Sequence, residues 1–312
     1  MKRVSPIELK AGMTVNDLLN QYSGAGVLGA GKLSRAIDVY SEMISQDAVV
    51  FLGLAGPLVP GGLRSVITDM IRSELVDVVV SSGANIVHDM IEAFGGSHYV
   101  GRPGERGGGG DKSLRDRGIG RVGDIFVPME DFLVFEKKCK EIFNGIPEEE
   151  RTNLSVRELL SEIGRFIKDE DSFLRAAYKK DILVFSPAIT DSMLGLQMFF
   201  YSQEEKLILN VIKDMKELAD IVFKADKVGT LIIGGGVSKH YILGVNTLRG
   251  GVDYAVQVTT DTGEGGSLSG ARLEEAISWG KARKGARLVS LVGDATVILP
   301  LLTLGVKERM RR

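Results

Sequence analysis

The sequence predicts an α/β fold in which a mostly parallel sheet carries helices on both faces. Three observations predict it. Short β-branched runs alternate with helix-length amphipathic stretches, the order that builds βαβ units. Most of these runs are continuously apolar, as strands buried on both faces are. Each run also ends in small or polar residues. Such residues gather at the carboxyl edge of a parallel sheet, where open α/β folds bind ligands.

The strands are expected at Ala48–Leu54, Val76–Ser81, Asp181–Ser186, Gly229–Ile233, Val252–Thr259 and Arg287–Leu291. They end in Ala55-Gly56-Pro57, Ser82-Gly83-Ala84-Asn85, Pro187 with Thr190-Asp191, Gly234-Gly235-Gly236, Thr260-Asp261-Thr262-Gly263 and Gly293-Asp294-Ala295-Thr296. One such turn is an ordinary helix cap as readily as a ligand contact. Six together favour a crevice. The helices are expected at Lys32–Ser45, Leu63–Ser73, Ile86–Phe94, Glu130–Phe143, Val156–Lys168, Glu204–Lys224, Lys239–Arg249, Arg272–Gly280 and Ala295–Leu304. Residues 1–312 read as one domain. Within it, Gly101–Gly120 is rich in Gly, Arg and Asp with little to bury, and reads as a mobile surface loop.

Composition narrows the class. The chain has 312 residues, 44% of them hydrophobic, enough for a sizeable core. Its formal net charge of −2 shows no basic excess, so nucleic acid is not an expected partner. A single cysteine, Cys139, excludes a disulfide scaffold and a Cys-rich metal site. Three histidines (His88, His98 and His240) do not make a His-rich zinc centre, and no metal is expected. Neither a signal peptide nor a membrane span is expected, since no apolar run reaches ~18 residues. A lone thiol suits a reducing cytoplasm, the expected location.

Three places could carry chemistry. The run LIIGGGVSKH leaves a strand and opens a helix, and its glycines would let a phosphate approach the amides of the helix start. It lacks the third glycine of the GxGxxG fingerprint. Asp294 could meet a ribose or cap the next helix. The second place is EEAISWGK, with the chain's one tryptophan. Glu275 and Trp279, four apart on a helix, share a face, and Lys281 follows at the helix end. A lysine in a partly dry aromatic pocket can act as an amine nucleophile, forming imines with carbonyl or imine carbons. The same residues also fit a surface helix with a core tryptophan. Third, His240 follows the glycine turn, where it could move protons or serve in packing; His88 is a similar case.

These residues carry a resemblance. GGGVSKH (Gly234–His240), VDYAV (Val252–Val256), GSLSGARLEEAISWGK (Gly266–Lys281) and GDATVILPLL (Gly293–Leu302) resemble the deoxyhypusine synthase family. So, upstream and in the same order, do FLGLAGPLVPGGLR (Phe51–Arg64), VDVVVSSGA (Val76–Ala84), RVGDIFVP (Arg121–Pro128) and SPAITD (Ser186–Asp191). The resemblance implies a doubly wound, Rossmann-like NAD-binding fold and a homotetramer with active sites at dimer interfaces. It implies NAD-dependent transfer of the aminobutyl group of spermidine, through an imine on Lys281, to a lysine of the translation factor 5A precursor. In it, His240 handles protons, Trp279 lines the polyamine's methylenes and Glu275 meets an ammonium end. The cofactor positions fall on Ser82, Gly234, Gly235, Thr260, Gly266, Ser269, Asp294 and Ala295.

The chain also departs from the family pattern. Acidic positions of the family fall on Gly265, Leu268, Leu196, Val87 and His88, and an asparagine falls on Gly244. Asp261 and Glu264 lie close in sequence and could replace lost charge. These departures leave two other functions open: transfer of the butyl unit to a small amine such as putrescine, and a weakly active NAD-binding regulatory paralogue. Retention of Lys281, Trp279, Glu275 and His240 speaks against the last.

Overall fold

The computed structural model describes residues 1–101 and 110–311. Its strands are β1 (Val49–Leu54), β2 (Val78–Ser81), β3 (Tyr99–Val100), β4 (Ile119–Val122), β5 (Ile125–Pro128), β6 (Leu183–Phe185), β7 (Val228–Ile233), β8 (Val252–Thr259) and β9 (Ala282–Val292). Its helices are α1 (Val15–Ala25), α2 (Leu28–Ser45), α3 (Arg64–Arg72), α4 (Gly83–Ala93), α5 (Gly110–Asp116), α6 (Met129–Asn144), α7 (Glu148–Arg151), α8 (Val156–Phe166), α9 (Phe173–Lys180), α10 (Met193–Glu204), α11 (Val211–Lys224), α12 (Gly236–Val245), α13 (Glu275–Ser278) and α14 (Ala295–Met310). All the strands expected from the sequence are present, which bears out the α/β class.

The chain, read from sequence as one domain, divides into two compact units. One holds Met1–Gly56, Ser73–Val80 and Met215–Arg312; the other holds Pro57–Arg72 and Ser81–Asp214. In the first, the strands lie in the order β2-β1-β7-β8-β9. β1 with β7, β7 with β8 and β8 with β9 all pair in parallel. Both faces of this sheet are covered. A side chain at Gly229 would strike Met43 of α2, whereas one at Gly53, opposite Ile232, would strike Ile242 of α12. Gly229 and Ile232 have opposite parity on β7, so α2 and α12 lie on opposite faces. Phe51, Leu52, Leu231, Ile232, Val256 and Val258 are accordingly fully buried.

The second unit contains a small antiparallel sheet, β3-β5-β4, and a helical core around Phe135, Phe143 and Phe173. The segment Gly101–Gly120 is not simply a loop. It contains α5, whose Leu114 is buried, and β4, which pairs with β5; residues 102–109 lie outside the described residues.

Other differences have local causes. The helix expected over Glu204–Lys224 begins only at Val211, because Leu209 bridges to Leu154 between α11 and the end of α10, a helix that the sequence did not announce. Its neighbours Ile208 and Asn210 donate to the Arg151 and Leu154 carbonyls at 2.8 Å. The unforeseen α1 starts at a capping box, Thr14 with Asp17, and α9 starts at the Ser172 cap. Arg272–Gly280, expected as a helix, holds only the single turn α13.

Candidate active site

The first unit brings Lys281, Trp279, Glu275 and His240 to one cavity of about 60 Å³, where Lys239 and Leu268 also line the wall. The backbone explains how. α13 ends at Ser278 with Trp279 as its C-cap, and Gly280 turns left-handed at φ +66°, a conformation glycine adopts without strain. The Lys281 amide then donates back to the Ala276 carbonyl at 2.9 Å, closing the helix end. Its own carbonyl accepts from Val252 at 3.0 Å, so Lys281 stands where β9 begins beside β8. The Lys281 Nζ lies 5.6 Å from the centroid of the Trp279 ring, within cation–π range. The tryptophan is not a core residue: it is 73% exposed, so the wall it offers is open to solvent. Glu275 and Trp279 reach the same cavity although the helix stops before Trp279.

His240 lies one turn into α12, on an exposed position, and not at its first residue. A side-chain carbon at Gly244, on the next turn, would stand 3.9 Å from its Nδ1.

Two residues that the sequence reading passed over hold this region together. Lys239 is 2% exposed, and its Nζ donates to Gln257 Oε1 (2.9 Å), the Leu268 carbonyl (2.9 Å) and the Ala271 carbonyl (2.6 Å). Burial pushes its ammonium down to about 8; Glu275 opposes this shift and the positive charge of Lys281 adds to it. Gln257 is fully buried, and its Nε2 donates to the carbonyls of Gly234 (3.0 Å) and Ser269 (2.9 Å). Signals for both were available. Lys239 shares a helical face with the buried Ile242 and Leu243, and Gln257 interrupts an apolar strand buried on both sides.

The positions matched to a cofactor mostly lie elsewhere along the sheet. Lys281 sits beside the start of β8, whereas Thr260 and Asp261 follow its end. The strand between is eight residues long, which spans about 23 Å at ~3.3 Å per step. Gly234 turns at φ +80°, and a side chain there would meet the Ala55 carbonyl at 2.8 Å. Gly235 has no room for one because Ser269 fills the place, so this glycine serves packing within the chain. Among the described residues, nothing stands within 4 Å of where a side chain at Gly236 (φ +63°) would begin, and no side chain caps the ten-residue α12. That open helix start fits a pyrophosphate. Ser269 donates its hydroxyl to Asp261, and Gly266 turns left-handed on the exposed stretch before it. Asp294 acts as the cap of α14: it accepts from the Thr296 amide at 2.7 Å and hydroxyl at 2.8 Å, which hold its carboxyl below the usual range. Ala295 is the first residue of that helix. Ser82 precedes α4 in the second unit, where Asn85 donates to its hydroxyl at 3.3 Å. Neither Asp261 nor Glu264 lines the Lys281 cavity.

The fold and the site define a class: a parallel α/β chain with an open helix start at the sheet's carboxyl edge and a lysine amine held over an indole. Comparison with known proteins makes it particular. Residues 17–306 match the family model of deoxyhypusine synthase. The probable deoxyhypusine synthase of Methanothermobacter thermautotrophicus is 44% identical over 308 residues, 98% of each chain. That of Methanopyrus kandleri is 43% identical over 311 residues, 99% of each chain. A crystal structure assigned to deoxyhypusine synthase of Entamoeba histolytica superposes with a TM-score of 0.66 at 18% identity, covering 94% of this chain and 93% of that one. A ternary complex of AgrE with ornithine and NAD+ shares the fold over 93% of this chain and 33% of that one, at TM-score 0.53 and 14% identity. The chain belongs to the deoxyhypusine synthase family, a family of transferases. Among the described residues, no helix is long and apolar enough to cross a membrane.

Proposed function

We propose that this chain transfers the aminobutyl group of spermidine, with NAD as cofactor, to a lysine of the translation factor 5A precursor. The observation that carries the reading is the Lys281 amine, held 5.6 Å from the Trp279 ring at a cavity that also presents Glu275 and His240. The family membership and the fold shared with an NAD+-bound neighbour support it.

Bound NAD would supply the hydride-accepting and hydride-donating chemistry that oxidation of spermidine beside its secondary amine and final reduction of the product require. The residues of this chain do the rest. The open amides at the start of α12 and the turn at Gly234 would hold the pyrophosphate, with Thr260, Gly266 and Ser269 at the same sheet edge. Glu275 attracts a terminal ammonium, and the Trp279 face lies along the methylenes. Lys281 Nζ attacks the substrate's imine carbon; the C–N bond to 1,3-diaminopropane breaks, and the four-carbon unit stays as an imine on Lys281. The acceptor lysine displaces Lys281 in a second imine exchange. His240, at the same cavity, moves the protons. As in the family generally, the active assembly is taken to be a homotetramer acting in the cytoplasm.

One feature favours a second acceptor. Leu268 lines the cavity where family members can place an acid, and Glu275 is the one carboxylate among its described lining residues. A cavity so short of negative charge suits a change in amine specificity, including transfer to putrescine. Purified protein with NAD and spermidine, offered either the precursor or putrescine, tests both. Deoxyhypusine on the precursor is the expected product. Homospermidine alone would replace the first acceptor with the second, and no product from either, without a borohydride-trapped adduct on Lys281, would leave an NAD-binding regulatory role.

A further inference from the structure

We propose that Lys239, together with Gln257, is a positioning element. It locks the Leu268–Ala271 segment to β8 and so fixes the separation between the glycine turn after β7 and the amine of Lys281.

The bond inventory supports this. An ammonium has three N–H donors, and all three of Lys239's are spent, on Gln257 Oε1, Leu268 O and Ala271 O. The Gln257 amide is oriented by the same set. Its oxygen faces the ammonium, so its nitrogen faces the Gly234 and Ser269 carbonyls. One side of this pair therefore holds residues of the carboxyl-edge turn, Gly234 and Ser269. The other side holds Leu268 and Ala271, which line the Lys281 cavity. The segment between is packed without slack. A side chain at Gly270 would stand 1.9 Å from the Thr262 carbonyl, and one at Gly235 would stand 2.3 Å from Ser269 Cα.

Burying an ammonium among neutral acceptors is costly, and an apolar side chain of similar volume often serves a core as well or better. A positioning task explains why a cation is kept: it alone offers three donors from one atom. Neutralisation removes one of them, so the lock loosens as pH rises through about 8, where burial has moved this group. The charged and titratable groups facing it are Glu275 and Lys281 from the α13–β9 side, Arg272 from the segment before α13, and His240 from its own helix.

The proposal rests on Lys281 being the reactive amine and Gly234 belonging to a dinucleotide turn, but its test needs neither spermidine nor turnover. The full-length protein is treated with propanal and cyanoborohydride across pH 6.5–9.5. Alkylation of Lys281 is measured by peptide mass mapping against Lys284, an exposed lysine on β9. In the native protein the Lys281/Lys284 ratio should fall above pH 8. Lys239→Met should lower the ratio at least tenfold at pH 7 and remove the limb near pH 8. Gln257→Glu, which keeps volume but loses the Nε2 donors, should weaken NAD+ binding at least tenfold and lower the ratio. A folded Lys239→Met protein with the native ratio and limb would overturn the proposal. If that variant does not fold, a native-like ratio and NAD+ affinity in Gln257→Glu would overturn it equally, as would a native protein with no limb near pH 8. Lack of a spermidine adduct in the native protein would overturn the proposed function and leave the labelling contrast to decide on Lys239.

Discussion

Two of the buried cations among the described residues, Arg64 of the second unit and Lys239 of the first, are surrounded in opposite ways. In the second unit Arg64, on α3, is 7% exposed and meets carboxylates: Asp89 at 2.7 Å, Asp169 at 2.8 Å and Glu92 at 3.5 Å. Asp89, fully buried, also accepts from Ser172 Oγ at 2.6 Å and from the Phe173 and Leu174 amides at the start of α9. Burial pulls the guanidinium down, but Asp89 and Asp169 outweigh it and hold the group above ordinary arginine. In the first unit the Lys239 ammonium hydrogen-bonds, among the described residues, to an amide and two carbonyls and to no carboxylate. The first cation cannot titrate and ties three helices together. The second is left near its titration point beside a cavity. Carboxylate partners make a scaffold; neutral partners leave a responsive group.

The largest effect should come from the cavity. Lys281→Met is expected to abolish transfer, by more than about a thousandfold or ~4 kcal/mol of barrier, while some spermidine oxidation continues, because oxidation precedes the lysine's covalent role. Thermal unfolding should shift little, since Lys281 is only half-buried. Mass spectrometry of borohydride-trapped protein checks it; native transfer in this variant would remove Lys281 from the mechanism.

The next effect belongs to the scaffold. Asp89→Leu leaves Arg64 without its principal partner and orphans the start of α9. A loss of about 3–5 kcal/mol follows from breaking one side of a buried pair, read by urea denaturation. The alkylation ratio of Lys281 in the folded fraction should stay native. A large change in that ratio would mean the two cations are not separable as scaffold and site.

The contrast was only partly legible in the sequence. Apolar runs ending in Gly, Ser, Thr and Asp located the parallel strands, because burial on both faces writes a pattern that needs no partner to read. SWGK and GGGVSKH carried the resemblance that singled out Lys281, Trp279 and His240. Arg64, Asp89, Lys239 and Gln257 were not foreseen as partners. Hydrogen bonds between residues as distant as Lys239 and Leu268, or Asp89 and Leu174, depend on the fold and leave no local period. The sequence leaves Asp294 open between cap and ligand contact, and the Thr296 amide shows the cap. The close packing of Ser269 against Gly235 likewise has no local signature in the sequence.

Titration sharpens the comparison at intermediate size. His88 of the second unit is pushed down to about 4, chiefly by burial and next by the charge of His98, with Glu92 opposing. Its Nδ1 lies 2.8 Å from His98 Nε2, and His98 Nδ1 lies 2.6 Å from Glu92. An unfolded histidine titrates near 6.5, so between about pH 6.5 and 4 the unfolded chain binds a proton that the folded chain refuses. Stability should therefore fall on acidification through this window, by about 3 kcal/mol, and His88→Gln should flatten that limb. Lys239 acts at the other end. Its folded value lies below the unfolded one, so its contribution makes stability rise with pH between about 8 and 10.5, and Lys239→Met should flatten that limb instead. Denaturation midpoints across pH check both; exchange of the two limbs between the variants would refute the assignment.

The smallest effect concerns Trp279, and its smallness is informative. An indole that is 73% exposed contributes little to the core, so Trp279→Leu should leave the unfolding midpoint nearly native. Its contact with the Lys281 amine at 5.6 Å, and with a polyamine in the same place, is worth about 0.5–1 kcal/mol at an exposed site. A rise in the KM for spermidine of about two- to fivefold, with kcat little changed, is the corresponding outcome. Trp279→Phe, which keeps an aromatic face, should recover part of it. A much larger loss, at the level of Lys281→Met, would show that the ring is buried against substrate or another chain when the enzyme works, and that the open wall of this cavity is closed in the working assembly.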